Sequence, residues 1–279
     1  MPTVDSWKQE TPNEVFQEEA VPIAPGLPGA IVRAVPIAAV GALTVALAGC
    51  AMGGPLNSEH QSQEYAEQVT LVEIRLDSGD VTLSPSAADT VSVSRRLQWR
   101  TSKPVVTETF DAGTMRISVS CANRIGTCEV DYGLKVPAAA SVQVHTDSGN
   151  VSITDLTGGA EVDTDSGDIT MDGAGGVVRV VADSGEIRAD RLLSGDVQVS
   201  VDSGDVALAF VTAPTAVDAQ SQSGDVTVTV PRVNGGYRVR AATDSGRRTV
   251  TVDEAATEGA HSIVATTDSG DVTVGHRRV

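Results

Sequence analysis

The tripeptide Asp-Ser-Gly recurs seven times in this 279-residue chain, with its aspartate at positions 77, 147, 165, 183, 202, 244 and 268. A degenerate copy starts at Gln222, and from Asp147 onward successive copies lie 18, 18, 19, 20, 22 and 24 residues apart. One, three and five places before each aspartate the residue is apolar, Ala or Thr, as with Thr164, Val162 and Ala160, or Val201, Val199 and Val197. The residues between are mostly polar, such as Glu161 and Asp163, or Gln198 and Ser200. Beyond the glycine the alternation resumes, with Ile169 and Met171 in one copy and Val206 and Leu208 in another. Period-two alternation marks a strand with one buried face, so each copy reads as strand, sharp turn, strand. Glycine supplies the positive φ of the turn, and the aspartate is expected to cap it by accepting a backbone N–H two residues on. Only the copy at 244 breaks the pattern, placing Arg248 where an apolar residue belongs.

A second glycine-rich corner lies between the copies, as in TGGAE at 157–161, GAGGV at 173–177 and NGGYR at 234–238. Two strands and two corners every 18–24 residues predict an all-β chain folded as a β-solenoid, a parallel β-helix of stacked rungs. An antiparallel β-meander would use the same turns and is the alternative. The chain is only 3% aromatic, which suits a narrow interior filled by small side chains. Residues 141–279 are read as the repeat solenoid. Residues 69–140, which hold Trp99, Phe110 and Tyr132, are read as a β-rich part that caps its first end, because an uncapped solenoid exposes strand edges and core. His276, Arg277 and Arg278 are expected to guard the other edge.

Upstream, residues 34–50 form an apolar stretch ending in Leu47-Ala48-Gly49-Cys50, which looks like a bacterial lipobox with Cys50 as the lipidated residue. Residues 1–33 carry Asp5, Glu10, Glu14, Glu18 and Glu19 against Lys8 and Arg33, an unusual start for a cleaved signal. The other reading is an uncleaved signal anchor with an acidic cytoplasmic segment, since Ile31–Ala48 is about long enough to span a bilayer. Either way Arg33 orients the C-terminal bulk to the extracytoplasmic face of the cell membrane. Residues 51–68 read as a polar, flexible tether. Cys121 and Cys128 are flanked by strand-like sequence with six residues between them, so a disulfide closing a hairpin is expected, with two free thiols as the alternative.

The segment VEIRLDSGDVTL, the run from Val136-Pro137 to Ile153, and the tandem T-DSGD copies together resemble the bacterial "putative adhesin" family of β-strand-repeat domains. The resemblance covers about residues 69–279. It implies a solenoid-like domain of the cell envelope, with no catalytic residues to carry over.

A net charge of −17 excludes a nucleic-acid binder, which needs a basic face. His60, His145, His261 and His276 show no metal-ligand spacing, and no Ser–His–Asp set is singled out. Two further classes stay open beside an adhesin or binding scaffold with a protein or glycan partner. One is a β-helix carbohydrate-active enzyme using clustered carboxylates. The other is a calcium-dependent module in which Asp147, Asp165, Asp168, Asp183, Asp202 and Asp205 form an oxygen ladder, although the calcium β-roll and EF-hand patterns are missing. No other cofactor is expected. Arg95-Arg96 and Arg247-Arg248 read as strand-surface charges.

Overall fold

The computed structural model describes residues 55–88, 90–122, 126–255 and 261–277. Cys50 and the expected segments 1–33 and 34–50 lie outside the described residues, as does Arg278. Among the described residues no helix is long and apolar enough to cross a membrane.

The chain begins with β1 (Asn57–Tyr65), β2 (Leu71–Ser78), β3 (Val81–Pro85), β4 (Val91–Trp99), β5 (Val105–Asp111), β6 (Thr114–Ser120) and β7 (Cys128–Val136). There follow β8 (Ser141–Ser148), β9 (Val151–Thr154), β10 (Ala160–Ser166), β11 (Ile169–Asp172), β12 (Val177–Ser184), β13 (Ile187–Leu192) and β14 (Asp196–Ser203). The last are β15 (Val206–Phe210), β16 (Ala216–Ser223), β17 (Val226–Val230), β18 (Arg238–Ser245), β19 (Arg248–Val250), β20 (Ser262–Ser269) and β21 (Val272–His276).

These strands form two sheets. One has eleven strands in the order β1-β4-β7-β3-β9-β11-β13-β15-β17-β21-β19, and the other has ten in the order β18-β20-β16-β14-β12-β10-β8-β2-β6-β5. Each DSG corner carries the chain from the ten-stranded sheet into the eleven-stranded one, and the second corners bring it back. Neighbouring rungs are parallel and in register, as where Val162 faces Val144 on one side and Val180 on the other. This is the solenoid that the repeat predicts, and the parallel pairing rules out the meander.

The alternating residues of both sheets meet in one core. A single row on the eleven-stranded sheet reads Val81, Val151, Ile169, Ile187, Val206, Val226, Val272, all buried. Each such side chain contributes about 1.5–3 kcal/mol by leaving water.

Three sequence expectations change. Residues 57–65 were expected to belong to a tether, yet they form β1, paired antiparallel with β4 over Asn57↔Trp99 to Tyr65↔Val91. Its side chains are too polar to signal a strand, but an edge strand needs only one partner. The break at 141 is not a structural boundary, because β2/β3 and β6/β7 already stack in parallel with the array. Antiparallel pairing is confined to one end of the stack, at β1–β4, β4–β7 and β5–β6 among the described residues.

The third change concerns order. The stack runs β6/β7, β2/β3, β8/β9, β10/β11, β12/β13, β14/β15, β16/β17, β20/β21, β18/β19. At both ends, therefore, the rung nearer the chain terminus lies inside its sequence neighbour. His276 and Arg277 do not guard the edge, since β21 is flanked by β17 and β19. The rung with the broken pattern, β18/β19, is the one at the open end.

Candidate functional site

The DSG corners stack into a ridge along which the backbone ladder never breaks. The Gly167 N–H, for example, donates to the Ser184 carbonyl at 3.1 Å and the Gly149 N–H to Ser166 at 3.0 Å. Such close stacking excludes any side chain at this position. Gly167 has φ +148°, and a Cβ there would overlap the Gly149 carbonyl oxygen. The chemistry thus needs glycine for two reasons, conformation and approach.

The aspartates that cap the corners are not the ones the repeat suggested. In the described residues it is the residue after the glycine, or in β7 its register equivalent Asp131, that accepts backbone N–H bonds, and it takes them from the neighbouring rung. Asp131 accepts from the Asp80 N–H at 3.0 Å, Asp80 from Asn150 at 2.8 Å and Asn150 from Asp168 at 2.9 Å. Asp168 then accepts from Glu186 at 2.9 Å, and the pattern resumes with Asp205 accepting from Asp225 at 2.8 Å. Asp225 accepts from Asp271 and Asp271 from Arg247, each at 2.7 Å. The one gap follows Glu186, whose longer side chain turns to Arg188 at 2.7 Å instead.

The six calcium candidates therefore fall into two columns. Asp168 and Asp205 are ladder residues, already accepting N–H bonds. Asp147, Asp165, Asp183 and Asp202 stand on the other side of the corner, facing outward in a row. Asp202 accepts from Gln222 at 2.6 Å, so the degenerate copy relieves one like-charge contact. Among the described residues no group of three or more His, Cys, Asp or Glu comes together as a metal site.

In the end rung β6/β7 the expected Cys121–Cys128 disulfide is present, but it spans the passage between the two sheets and does not close a hairpin, because β6 and β7 lie in different sheets. Nearby lies a group that sequence reading missed. Arg95, half-buried, pairs with Glu108, which also accepts from the Tyr65 hydroxyl and, at 3.4 Å, from Tyr132. Arg95 Nε further donates to Gln61 at 2.6 Å. Burial, then the Glu108 charge, push both tyrosines well above the ordinary phenol value. The network ties β1 and β4 of one sheet to β5 of the other. The missing signal was the partner: Glu108 lies on a strand whose alternation is too polar to mark a buried carboxylate.

The outer face of the ten-stranded sheet offers the remaining candidate surface. Two adjoining depressions share Glu73 and Arg75; one extends toward Thr107 and Arg116, the other toward His145 and Asp163. Arg116 Nε holds Glu73 at 2.7 Å, Gln143 donates to Glu161 at 3.1 Å, and His145 Nδ1 lies 3.2 Å from Asp163. Arg75 sits in register between Ser118 and His145, with no ion-pair partner among the described residues. It is a free guanidinium on a rigid lattice of donors and acceptors.

Comparison with known proteins finds one matching family model and several similar solved structures. The model of the family described as Toastrack DUF4097 matches residues 63–275. A crystal structure of a protein described as a "putative adhesin" from Bacteroides fragilis is similar with a TM-score of 0.48 and 11% identity, covering 78% of this chain and 97% of that one. A "putative cell adhesion protein" from Clostridium sporogenes gives 0.39 and 9%, covering 79% and 100%. A "putative adhesin" from Parabacteroides distasonis gives 0.34 and 15%, covering 80% and 98%. No curated protein sequence matches the chain.

Proposed function

The chain belongs to the Toastrack DUF4097 family, and from that footing we propose that it is a non-enzymatic binding scaffold of adhesin type at the cell envelope. A lipid on Cys50, or an uncleaved helix through 34–50, holds it at the extracytoplasmic face of the membrane. The outer face of the ten-stranded sheet receives a protein or glycan of the cell surface.

The observation that supports this reading is the unpaired Arg75 at the centre of the two depressions, surrounded by Arg116, Gln143, His145 and Glu161 on adjacent strands. Rows of side chains on hydrogen-bonded strands are spaced by about 4.8 Å, and their fixed positions lower the ordering cost of binding. A polar partner suits such a face better than an apolar one, because its groups replace the water that these side chains now hold.

The test uses the full chain extracted in detergent and incubated with cell-wall sacculi, before and after protease treatment. The wild-type protein should co-sediment, and Arg75→Ala combined with Glu161→Ala should lower the bound fraction at least tenfold. Equal retention of the variant would overturn this face as the binding surface; no retention of the wild type on sacculi or intact cells would overturn the binding role. Intact mass of the membrane-extracted chain should show a start at Cys50 with a lipid adduct, or a full-length chain if the anchor is a helix.

A further inference from the structure

We propose that Arg247 and Arg248 set the order of the last two rungs, so that the rung that comes last in the sequence is seated inside the one before it. In a simple solenoid β18/β19 would stack on β16/β17, and β20/β21 would come after. The observed order is the reverse, with β20/β21 between them.

Two independent features restrict β18/β19 to an end. Arg248 occupies the core-facing row, in register with Val272 and, beyond it, Val226. At the open end it is exposed, and its Nε donates to the Ala241 carbonyl at 2.9 Å. In the sequential order it would lie between Val226 and Val272, a charge with apolar neighbours on both sides and no carboxylate in its row, which is costly.

Arg247 occupies the ladder position. Its N–H donates to Asp271, but its side chain has no oxygen to accept from a further rung. It can end the ladder and cannot continue it. In the sequential order the Asp271 N–H, which now donates to Asp225 at 2.7 Å, would face Arg247 and find no acceptor. The rung β20/β21 has the opposite character: Ile263, Ala265, Val272 and Val274 are fully buried, and at the end of the stack they would meet solvent. The terminal rung therefore has no strand neighbour until the last rung is in place.

Thr227 and Thr273 are register partners in the observed order, whereas Thr227 and Thr249 stand two rungs apart. A disulfide needs Cα atoms within about 7 Å, so T227C/T273C and T227C/T249C report the order when the oxidised full chain is mapped by peptide mass. In the otherwise native chain the first pair should close and the second should not. With R247D/R248V added, the second pair should close in a substantial fraction of molecules. Closure of only the first pair in that background would overturn the proposal. Arg248→Val alone changes an exposed side chain and is read with the same pairs if the double variant does not fold. There too, exclusive closure of T227C/T273C counts against the role assigned to Arg248.

Discussion

Arg191 reaches across an entire rung to Asp155, its Nη2 lying 3.0 Å from Asp155 Oδ1 while its Nε holds Asp172 at 2.6 Å. The rung between them contributes Gly173, and a side chain there would overlap the Asp155 carboxylate. Asp155, Gly173 and Arg191 share a left-handed backbone, with φ of 48°, 70° and 50°. Gly173→Ala should therefore destabilise the fold by about 1–2 kcal/mol from its backbone alone, and more where Arg191 is present. Denaturant midpoints of G173A with and without Arg191→Ala would separate the two parts; equal costs in both backgrounds would sink the cross-rung contact.

The gap in the corner ladder at Glu186 is repairable. Glu186→Asp should bring a carboxylate within reach of the Asp205 N–H and stabilise the protein by about 1 kcal/mol. The exposed contact with Arg188 that it gives up is worth little. A denaturation midpoint that does not rise, or a rise matched by Glu186→Gln, would show that ladder bonds do not stabilise the stack.

Thr164 and Thr267 occupy equivalent places before the corner, and both are buried. The Thr267 hydroxyl donates to the Gly224 carbonyl at 2.9 Å, whereas the Thr164 hydroxyl has no partner. Thr164→Val should raise stability by about 1 kcal/mol and Thr267→Val should lower it by a similar amount, because an unpaired buried hydroxyl costs what a paired one contributes. Thermal melts of the two variants should move in opposite directions.

All three tyrosines of the chain titrate above the ordinary value of about 10. Burial pushes Tyr237 up to about 12, and burial with the Glu108 charge moves Tyr65 and Tyr132 higher still. Phenols that hold their proton more tightly when folded contribute stability that is complete below pH 10 and is lost as the pH rises through the folded values. Tyrosinate absorbance should thus stay low at pH 10–11 and then appear together with unfolding. Ordinary titration near pH 10 in a chain that keeps its β-sheet circular dichroism would contradict the burial of these rings.

Calcium removal should leave the melting temperature unchanged. The six candidate aspartates divide between a ladder already accepting N–H bonds and an outward row, whereas calcium takes several oxygens at one point. A melting temperature that falls in EDTA and recovers with excess calcium would support the cation reading.

Much of the fold could be read from spacing. Period-two alternation named the two strands of each rung, and the recurrence named their stacking. What spacing could not show was the order of the rungs, because in-register strands of similar length can stack in more than one sequence. Arg248 was the visible clue, a mismatch in the pattern that marks the physical end rather than the end of the chain. The ladder was misassigned because most copies offer two acidic positions, and only three-dimensional stacking decides which one faces a neighbouring N–H. The Arg95–Glu108 pair stayed hidden because Arg95, although in the core-facing row between Val93 and Leu97, was read with Arg96 as a surface charge, and Glu108 lies on a mostly polar strand.

The corner glycines and the ladder acceptors tie each rung to its immediate neighbours, and the reach of Arg191 to Asp155 extends that dependence by one rung more. A duplicated unit such as residues 167–184 would bring its own glycine, its own acceptor and its own apolar row. It could be added to or removed from the middle of the array with a change of about 4.8 Å in height and no new contact to invent. The number of such units is in that sense the height of the stack, and its two inverted ends mark where the count stops.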